Sequence, residues 1–160
     1  MNRTPVIGVM GGGRASAETE RLAVELGAAI AREGWVLLNG GRDAGVMAAS
    51  ARGAREQGGT VVGILPGADD AGASPDLTIA VVTGLGDARN AINVASSDVV
   101  VALPGGAGTW SEIALAAKAG KPLILLGWPE GSLAELSGYR VERPSNVEDA
   151  IARVRSLLPA

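Results

Sequence analysis

Short apolar runs alternate with longer helical patterns along most of the chain. Residues 6–10 form an apolar run that ends at three glycines, and the apolar residues of 17–33 then recur at the 3.6-residue period of a helix. The alternation continues to residue 126 and weakens after it. It predicts strands at 6–10, 35–38, 60–65, 77–82, 98–103 and 122–126, and helices at 17–33, 46–57, 87–96, 110–119 and 145–158.

Residue types at the ends of these segments predict how some of the helices begin. Asp87 is a favourable N-cap for the third helix, and Ser145 with Glu148 has the spacing of a capping box for the last one. The polar, glycine-containing stretch 67–76 indicates a surface loop.

Strands that alternate with helices are typical of parallel sheets with helices on both faces. We therefore predict one domain over residues 1–160, a three-layer, Rossmann-like, doubly wound α/β fold with a mostly parallel sheet. Ligands of such folds bind at the carboxyl ends of the strands. Glycine clusters follow three predicted strands, at 11–13, 40–41 and 105–106, so we expect the ligand site at this edge.

The loop after the fifth predicted strand has the character of an anion-binding loop. Its backbone amides can converge on a phosphate at the start of the next helix, where the helix dipole also favours an anion. The predicted phosphate-binding residues are Gly105, Gly106, Ala107, Gly108 and Thr109. The Thr109 hydroxyl either caps the helix or donates to the phosphate. The alternative is a tight turn that serves packing alone. No Walker lysine and no G-x-G-x-x-G motif is present, which disfavours ATP hydrolysis and ordinary NAD chemistry.

Composition narrows the possible chemistry. The chain has no cysteine and no histidine, so disulfides, thiol catalysis and a typical zinc site are excluded, and we expect no metal site. A net charge of −3 with dispersed basic residues does not indicate a nucleic-acid partner. No apolar run is long enough for a membrane span, so we expect a cytoplasmic protein.

Two motifs resemble a known group of proteins. Residues 104–112 read PGGAGTWSE and resemble the PGGxGTxxE signature of the LOG family of phosphoribohydrolases. NGGRDAGVMAASARGA at 39–54 and ARNAINVASSDVVVAL before the signature are more similar to a sister branch that includes the molybdenum cofactor carrier proteins. The resemblance extends from residue 6 to about residue 126.

The resemblance implies a set of site residues. Arg89 and Glu112 correspond to the catalytic pair with which LOG enzymes release a base from a nucleoside 5′-monophosphate, without a required cofactor. The chain departs from the LOG pattern at Asn90, Asn93 and Ser111, where the family usually has lysine, methionine and an acid. The further ligand-binding residues that we expect are Gly12, Gly13, Gly40, Gly41, Arg42 and Asn90. Arg42 is equally well interpreted as a solvated loop arginine.

Three functions follow from these observations. The first is a binding protein that holds a phosphorylated heterocycle, either the molybdenum cofactor or a nucleotide. The second is a LOG-type phosphoribohydrolase, and the third is an interaction subunit with a vestigial site. The departures around Arg89 favour binding. The helix that contains Ile113 and Leu115 is apolar almost all round, and together with the resemblance this predicts a homodimer or a homotetramer.

Overall fold

Seven parallel strands form one sheet in the order β4-β3-β2-β1-β5-β6-β7 in the computed structural model, which describes residues 3–159. The predicted α/β doubly wound fold is confirmed. The strands are β1 (Val6–Met10), β2 (Val36–Asn39), β3 (Val61–Leu65), β4 (Ile79–Val82), β5 (Val99–Ala102), β6 (Leu123–Leu125) and β7 (Val141–Glu142). The helices are α1 (Ala17–Arg32), α2 (Gly45–Glu56), α3 (Arg89–Ser96), α4 (Ala107–Lys118) and α5 (Val147–Leu157).

The helices lie in two layers because the chain builds the sheet in two directions. It first runs outward from β1 to β4 and then returns to the other side of β1 to add β5, β6 and β7. Right-handed connections in opposite directions place their helices on opposite faces of the sheet. The apolar side chains of α1, α2 and α5 pack on one face, and those of α3 and α4 pack on the other.

Helices α1 and α2 approach each other closely enough for backbone contact. A Cβ atom added at Gly27 would lie less than 3.0 Å from the Ser50 carbonyl oxygen, and one added at Gly53 would collide in the same way with Val24. Glycine at both positions therefore sets the spacing of the layer that supports the first two glycine loops.

The structure corrects three details of the predicted elements. Strand β7 was not predicted, and it adds to β6 with Leu123 opposite Val141. Asp87 does not cap α3, because it lies in a single 3₁₀ turn, Gly86–Ala88, directly before that helix.

The predicted capping box of α5 is also wrong. Neither Ser145 nor Glu148 forms it, since the cap is Asn146, whose side-chain oxygen accepts a hydrogen bond of 2.8 Å from the Asp149 amide. No helix within residues 3–159 combines the length and the apolar character that a membrane crossing needs.

Candidate functional site

A cavity of about 270 Å³ opens at the carboxyl ends of β1, β2 and β5. The strand order reverses between β1 and β5, and doubly wound sheets bind their ligands at such a switch point. Ten of the predicted site residues line the cavity: Gly12, Gly13, Gly40, Arg42, Arg89, Asn90, Gly106, Gly108, Thr109 and Glu112. Gly11, from the predicted glycine cluster 11–13, also lines the cavity, and four further lining residues were not predicted, namely Val9, Met10, Met47 and Asp87.

Three predicted site residues, Gly41, Gly105 and Ala107, do not line the cavity. Gly41 and Gly105 instead contribute to the packing of the loops around it. A Cβ atom at Gly105 would collide with the Thr109 hydroxyl and would lie 2.7 Å from the Gly12 amide nitrogen. The backbone at Gly41 has a positive φ of 77°, and a Cβ atom added there would lie 2.9 Å from the Leu65 side chain. Gly105 and Gly41 therefore allow the loops to pack, while Ala107 lies exposed in the first turn of α4.

The three glycine loops are joined through their backbones. The Gly12 amide donates to the Pro104 carbonyl at 3.2 Å, which connects the loop after β1 to the loop after β5. The Gly12 carbonyl in turn accepts from the Val46 amide in the first turn of α2 at 3.0 Å. The Gly12 amide is thus engaged within the protein, and Gly12 faces the cavity as a surface without a side chain.

The start of α4 presents backbone donors to the cavity. The helix begins at Ala107, three residues earlier than predicted, and Gly106 occupies the N-cap position without a side-chain cap. The first amides of a helix have no acceptor within the helix. The amides of Ala107, Gly108 and Thr109 are therefore free of helical partners beside the cavity, which is the arrangement that binds an anion.

Asn39 stabilises the conformation of the glycine loop after β2 through buried hydrogen bonds. Its side chain is fully buried and donates to the Met47 carbonyl at 3.0 Å and the Ser50 hydroxyl at 3.1 Å. Its oxygen accepts from the Gly41 amide at 2.8 Å. Asn39 therefore supports the loop from within the protein.

Asn39→Ala is expected to destabilise the protein by about 3 kcal/mol, because buried backbone groups lose their partners. Ser50→Ala removes the Ser50 hydroxyl from both Asn39 and the Met47 carbonyl, which stay bonded to each other, and is expected to cost about 1 kcal/mol. Urea unfolding of both variants measures the two values. Equal losses in the two variants would contradict the central role of Asn39.

The loop between β3 and β4 supports Arg42. The Asp43 amide donates to the Gly72 carbonyl at 2.9 Å, and the Ser74 amide donates to the Gly41 carbonyl at 2.8 Å. Arg42 and Ala73 form an isolated antiparallel bridge between these bonds. The predicted surface loop 67–76 therefore forms backbone hydrogen bonds to the glycine loop after β2 and supports it.

Glu112 is a nearly buried acid in the wall of the cavity. Only 6% of the residue is exposed, and its carboxylate accepts a hydrogen bond of 2.8 Å from the side-chain Nδ2 of Asn93. Burial raises the pKa of Glu112, while the Asn93 hydrogen bond and the positive charge of Arg89 act in the opposite direction.

Arg89 is the first residue of α3 and points toward the loop after β2. One terminal nitrogen donates to the Asn90 side chain, and the other lies 3.4 Å from the Gly40 carbonyl oxygen. Its Nε atom is buried without a partner among the described residues. Burial lowers the pKa of Arg89, and Glu112 and Asp87 oppose that shift, so the guanidinium remains charged.

The three departures from the LOG pattern connect α3 to α4. Asn90 donates to the Ser111 hydroxyl at 3.1 Å, and Ser111 donates to the Gly108 carbonyl at 2.6 Å. Asn93 forms the hydrogen bond to Glu112. These substitutions place neutral polar partners around Arg89 and Glu112.

Glu112→Gln is expected to raise the melting temperature at pH 7.5. An acid whose pKa is raised by folding binds its proton more tightly in the folded chain, so its contribution to stability is largest below the ordinary pKa of 4.5. That contribution is lost as the pH rises through the higher folded pKa. The gain of Glu112→Gln over the wild type should therefore shrink toward pH 4.

Melting curves between pH 4 and pH 8 test this prediction for the wild type and Glu112→Gln, with Glu25→Gln on the exposed side of α1 as the control. A melting temperature of Glu112→Gln that parallels the wild type at every pH would disprove it.

The doubly wound sheet with its cavity at the switch point defines a ligand-binding protein of the Rossmann-like class. Residues 4–153 match the SLOG cluster4 family, and the chain belongs to that family. The resemblance predicted from residues 104–112 is thereby confirmed. An uncharacterized protein of Archaeoglobus fulgidus is 48% identical over 77% of this chain and 80% of its own length.

Solved structures with the same fold cover nearly the whole chain. The molybdenum cofactor binding protein of Rippkaea orientalis superposes with a TM-score of 0.94 at 46% identity, covering 98% of this chain and 99% of that one. The molybdenum cofactor carrier protein of Chlamydomonas reinhardtii gives a TM-score of 0.91 at 45% identity, with coverage of 97% and 98%. A cytokinin riboside 5′-monophosphate phosphoribohydrolase of Mycobacterium tuberculosis is 40% identical over 61% of this chain and 53% of its own length.

Proposed function

We propose that this protein binds a small phosphorylated heterocycle, with the molybdenum cofactor as its cargo, and acts as a carrier. The observation that carries the proposal is the uncapped start of α4 beside a glycine-walled cavity at the switch point. The near full-length similarity to molybdenum cofactor binding and carrier proteins supports it.

The residues around the cavity fit such a ligand. The amides of residues 107–109 would hold the terminal phosphate, and Gly106 leaves room for it because it has no side chain and no atom lies within 4 Å of a Cβ added there. Arg89 lines the same cavity and would place its positive charge beside the rest of the molecule. A bound molybdenum cofactor would bring its own redox chemistry, and the chain would contribute binding, orientation and shielding from water.

Retention of the cofactor tests the carrier function. Purified protein is mixed anaerobically with cofactor released from a molybdoenzyme and passed over a gel-filtration column, and the pterin in the protein fraction is measured by fluorescence after oxidation. We expect co-elution near one cofactor per chain. Pterin only in the small-molecule fraction, from folded protein, would refute the proposal.

A phosphoribohydrolase is the second candidate, since Arg89 and Glu112 line the same cavity and relatives with that name match part of the chain. In this function the phosphate would bind at α4, and the Glu112 carboxylate would activate water or stabilise the ribosyl centre. Incubation with AMP, GMP, CMP, UMP and IMP, followed by chromatography, tests it. Base release that is lost in both Glu112→Ala and Arg89→Ala would establish hydrolysis.

We also propose assembly into a homodimer or a homotetramer through the outer side of α4. Ile113 and Ala116 face the sheet, whereas Trp110 is 54% exposed and Ala114 is also exposed on the outer side. A large exposed aromatic residue on an apolar helix is typical of an interface. Light scattering coupled to gel filtration measures the molar mass, and a mass of 16.0 kDa would contradict assembly.

A further inference from the structure

Two arginines, Arg42 and Arg89, line the cavity beside the loop after β2. Burial lowers the pKa of Arg89, and the positive charge of Arg42 contributes to the same shift. Arg89 lies beside Gly40, the residue that follows β2. Within residues 3–159, neither arginine is in an ion pair shorter than 4.0 Å.

Neither acid at the cavity forms an ion pair with these arginines within residues 3–159. Asp87 and Glu112 are the acidic residues among those that line it, and their charges act on Arg89 from more than 4.0 Å away. Like charges held together without partners are destabilising unless an anion binds between them. The terminal nitrogens of Arg89 contact only the Asn90 side chain and, at 3.4 Å, the Gly40 carbonyl oxygen.

This positive region is separate from the start of α4. Strands β2 and β5 lie on either side of β1, and neighbouring strands are about 4.8 Å apart, so the two carboxyl ends are about 10 Å apart. An anion on the amides of residues 107–109 belongs to the β5 end. The two arginines therefore face a different part of the same ligand.

We propose that the ligand of this site has a second anionic group, about 10 Å from its phosphate, which binds between Arg42 and Arg89. The ligand class is thus a small molecule with an anion at each end, a phosphate on the β5 side and an oxyanion on the β2 side. This inference rests on the proposed function, because it takes the phosphate position at α4 as given. Arg42 is then a specificity residue and not a solvated loop arginine.

A matched pair of sugar phosphates tests the second site. Fructose 1,6-bisphosphate and fructose 6-phosphate differ in one phosphate at the opposite end, and isothermal titration gives their affinities for the purified protein. We expect the bisphosphate to bind about 10-fold more tightly, because its second phosphate would form charge-assisted hydrogen bonds to the two arginines.

Arg42→Gln is expected to reduce the ratio of the two affinities to about 2 or less, chiefly by weakening the binding of the bisphosphate. Arg14→Gln is the control, because Arg14 is also exposed after a glycine loop and carries the same charge but does not line the cavity. It should keep the wild-type ratio.

The outcomes separate this inference from the proposed function. A ratio near 1 in the wild type, or an equal ratio in the wild type and Arg42→Gln, overturns the second anion site while monophosphate binding survives. A wild-type protein that binds neither sugar phosphate nor inorganic phosphate overturns the phosphate position at α4 and this inference with it.

Discussion

Gly106→Asp is expected to abolish phosphate binding while the protein stays at least as stable as the wild type. Gly106 has extended backbone angles at the N-cap of α4, and no atom lies within 4 Å of a Cβ added there. Aspartate is a preferred N-cap and should stabilise the helix by about 0.3 kcal/mol relative to glycine. Its carboxylate would occupy the position proposed for the phosphate, so affinity should fall at least about 100-fold through like-charge repulsion.

Gly106→Asn separates charge from size in this experiment. Asparagine caps a helix about as well as aspartate and has nearly the same shape without the charge. Titration with inorganic phosphate and thermal melting of both variants give affinity and stability together. If Gly106→Asp binds phosphate as tightly as Gly106→Asn, the anion does not bind at the start of α4.

Gly53→Ala is expected to lower the free energy of unfolding by about 3 kcal/mol, at the upper end of what overpacking costs. In an exposed helix a glycine-to-alanine substitution stabilises the protein, since alanine is the better helix former. Here the added methyl group would collide with the Val24 carbonyl oxygen of α1, and rigid backbone cannot move aside as a side chain does. The sign of the effect therefore depends on the contact between α1 and α2.

Urea unfolding measures this difference, with Arg52→Ala as the control. Arg52 is the preceding residue on α2 and is exposed, so its replacement should change stability by less than about 0.5 kcal/mol. A stability of Gly53→Ala equal to or above that of the wild type would show that the two helices separate without cost.

Much of the fold could be predicted because local pattern and tertiary structure agree in its central part. Strand β5 (Val99–Ala102) is fully buried and reads as a continuous valine-rich run, and α1 has a clear apolar stripe. Strand β7 was missed because two half-buried residues provide no period to detect. Its position depends on pairing with β6, which is a tertiary contact.

The errors at helix starts have a common physical cause. Asp87 and Ser145 are both good capping residues by type, but neighbouring backbone geometry decides which side chain reaches the free amides. At α5 that residue is Asn146, one position later. At α4 the glycines suggested a longer loop, although Ala107 already adopts helical geometry behind an uncapped Gly106.

The cavity could be predicted in outline but not in its supporting contacts. Glycine clusters after three strands indicate the edge where a ligand binds, because topology brings those strand ends together. The hydrogen bond from Asn93 to Glu112 and the support of Arg42 by the Ala73 segment join residues far apart in sequence. No local pattern marks such pairs.

The bonds between the glycine loops determine how cargo enters and leaves. Because Gly12 is hydrogen-bonded to Pro104 and to Val46, the walls of the cavity are already fixed before a ligand arrives. Binding then requires little ordering of the chain, and the entropy cost of association falls mainly on the ligand. In the proposed carrier function, release of the ligand would need no unfolding of these loops either, and its residence time would depend on the contacts that hold its phosphate at the start of α4.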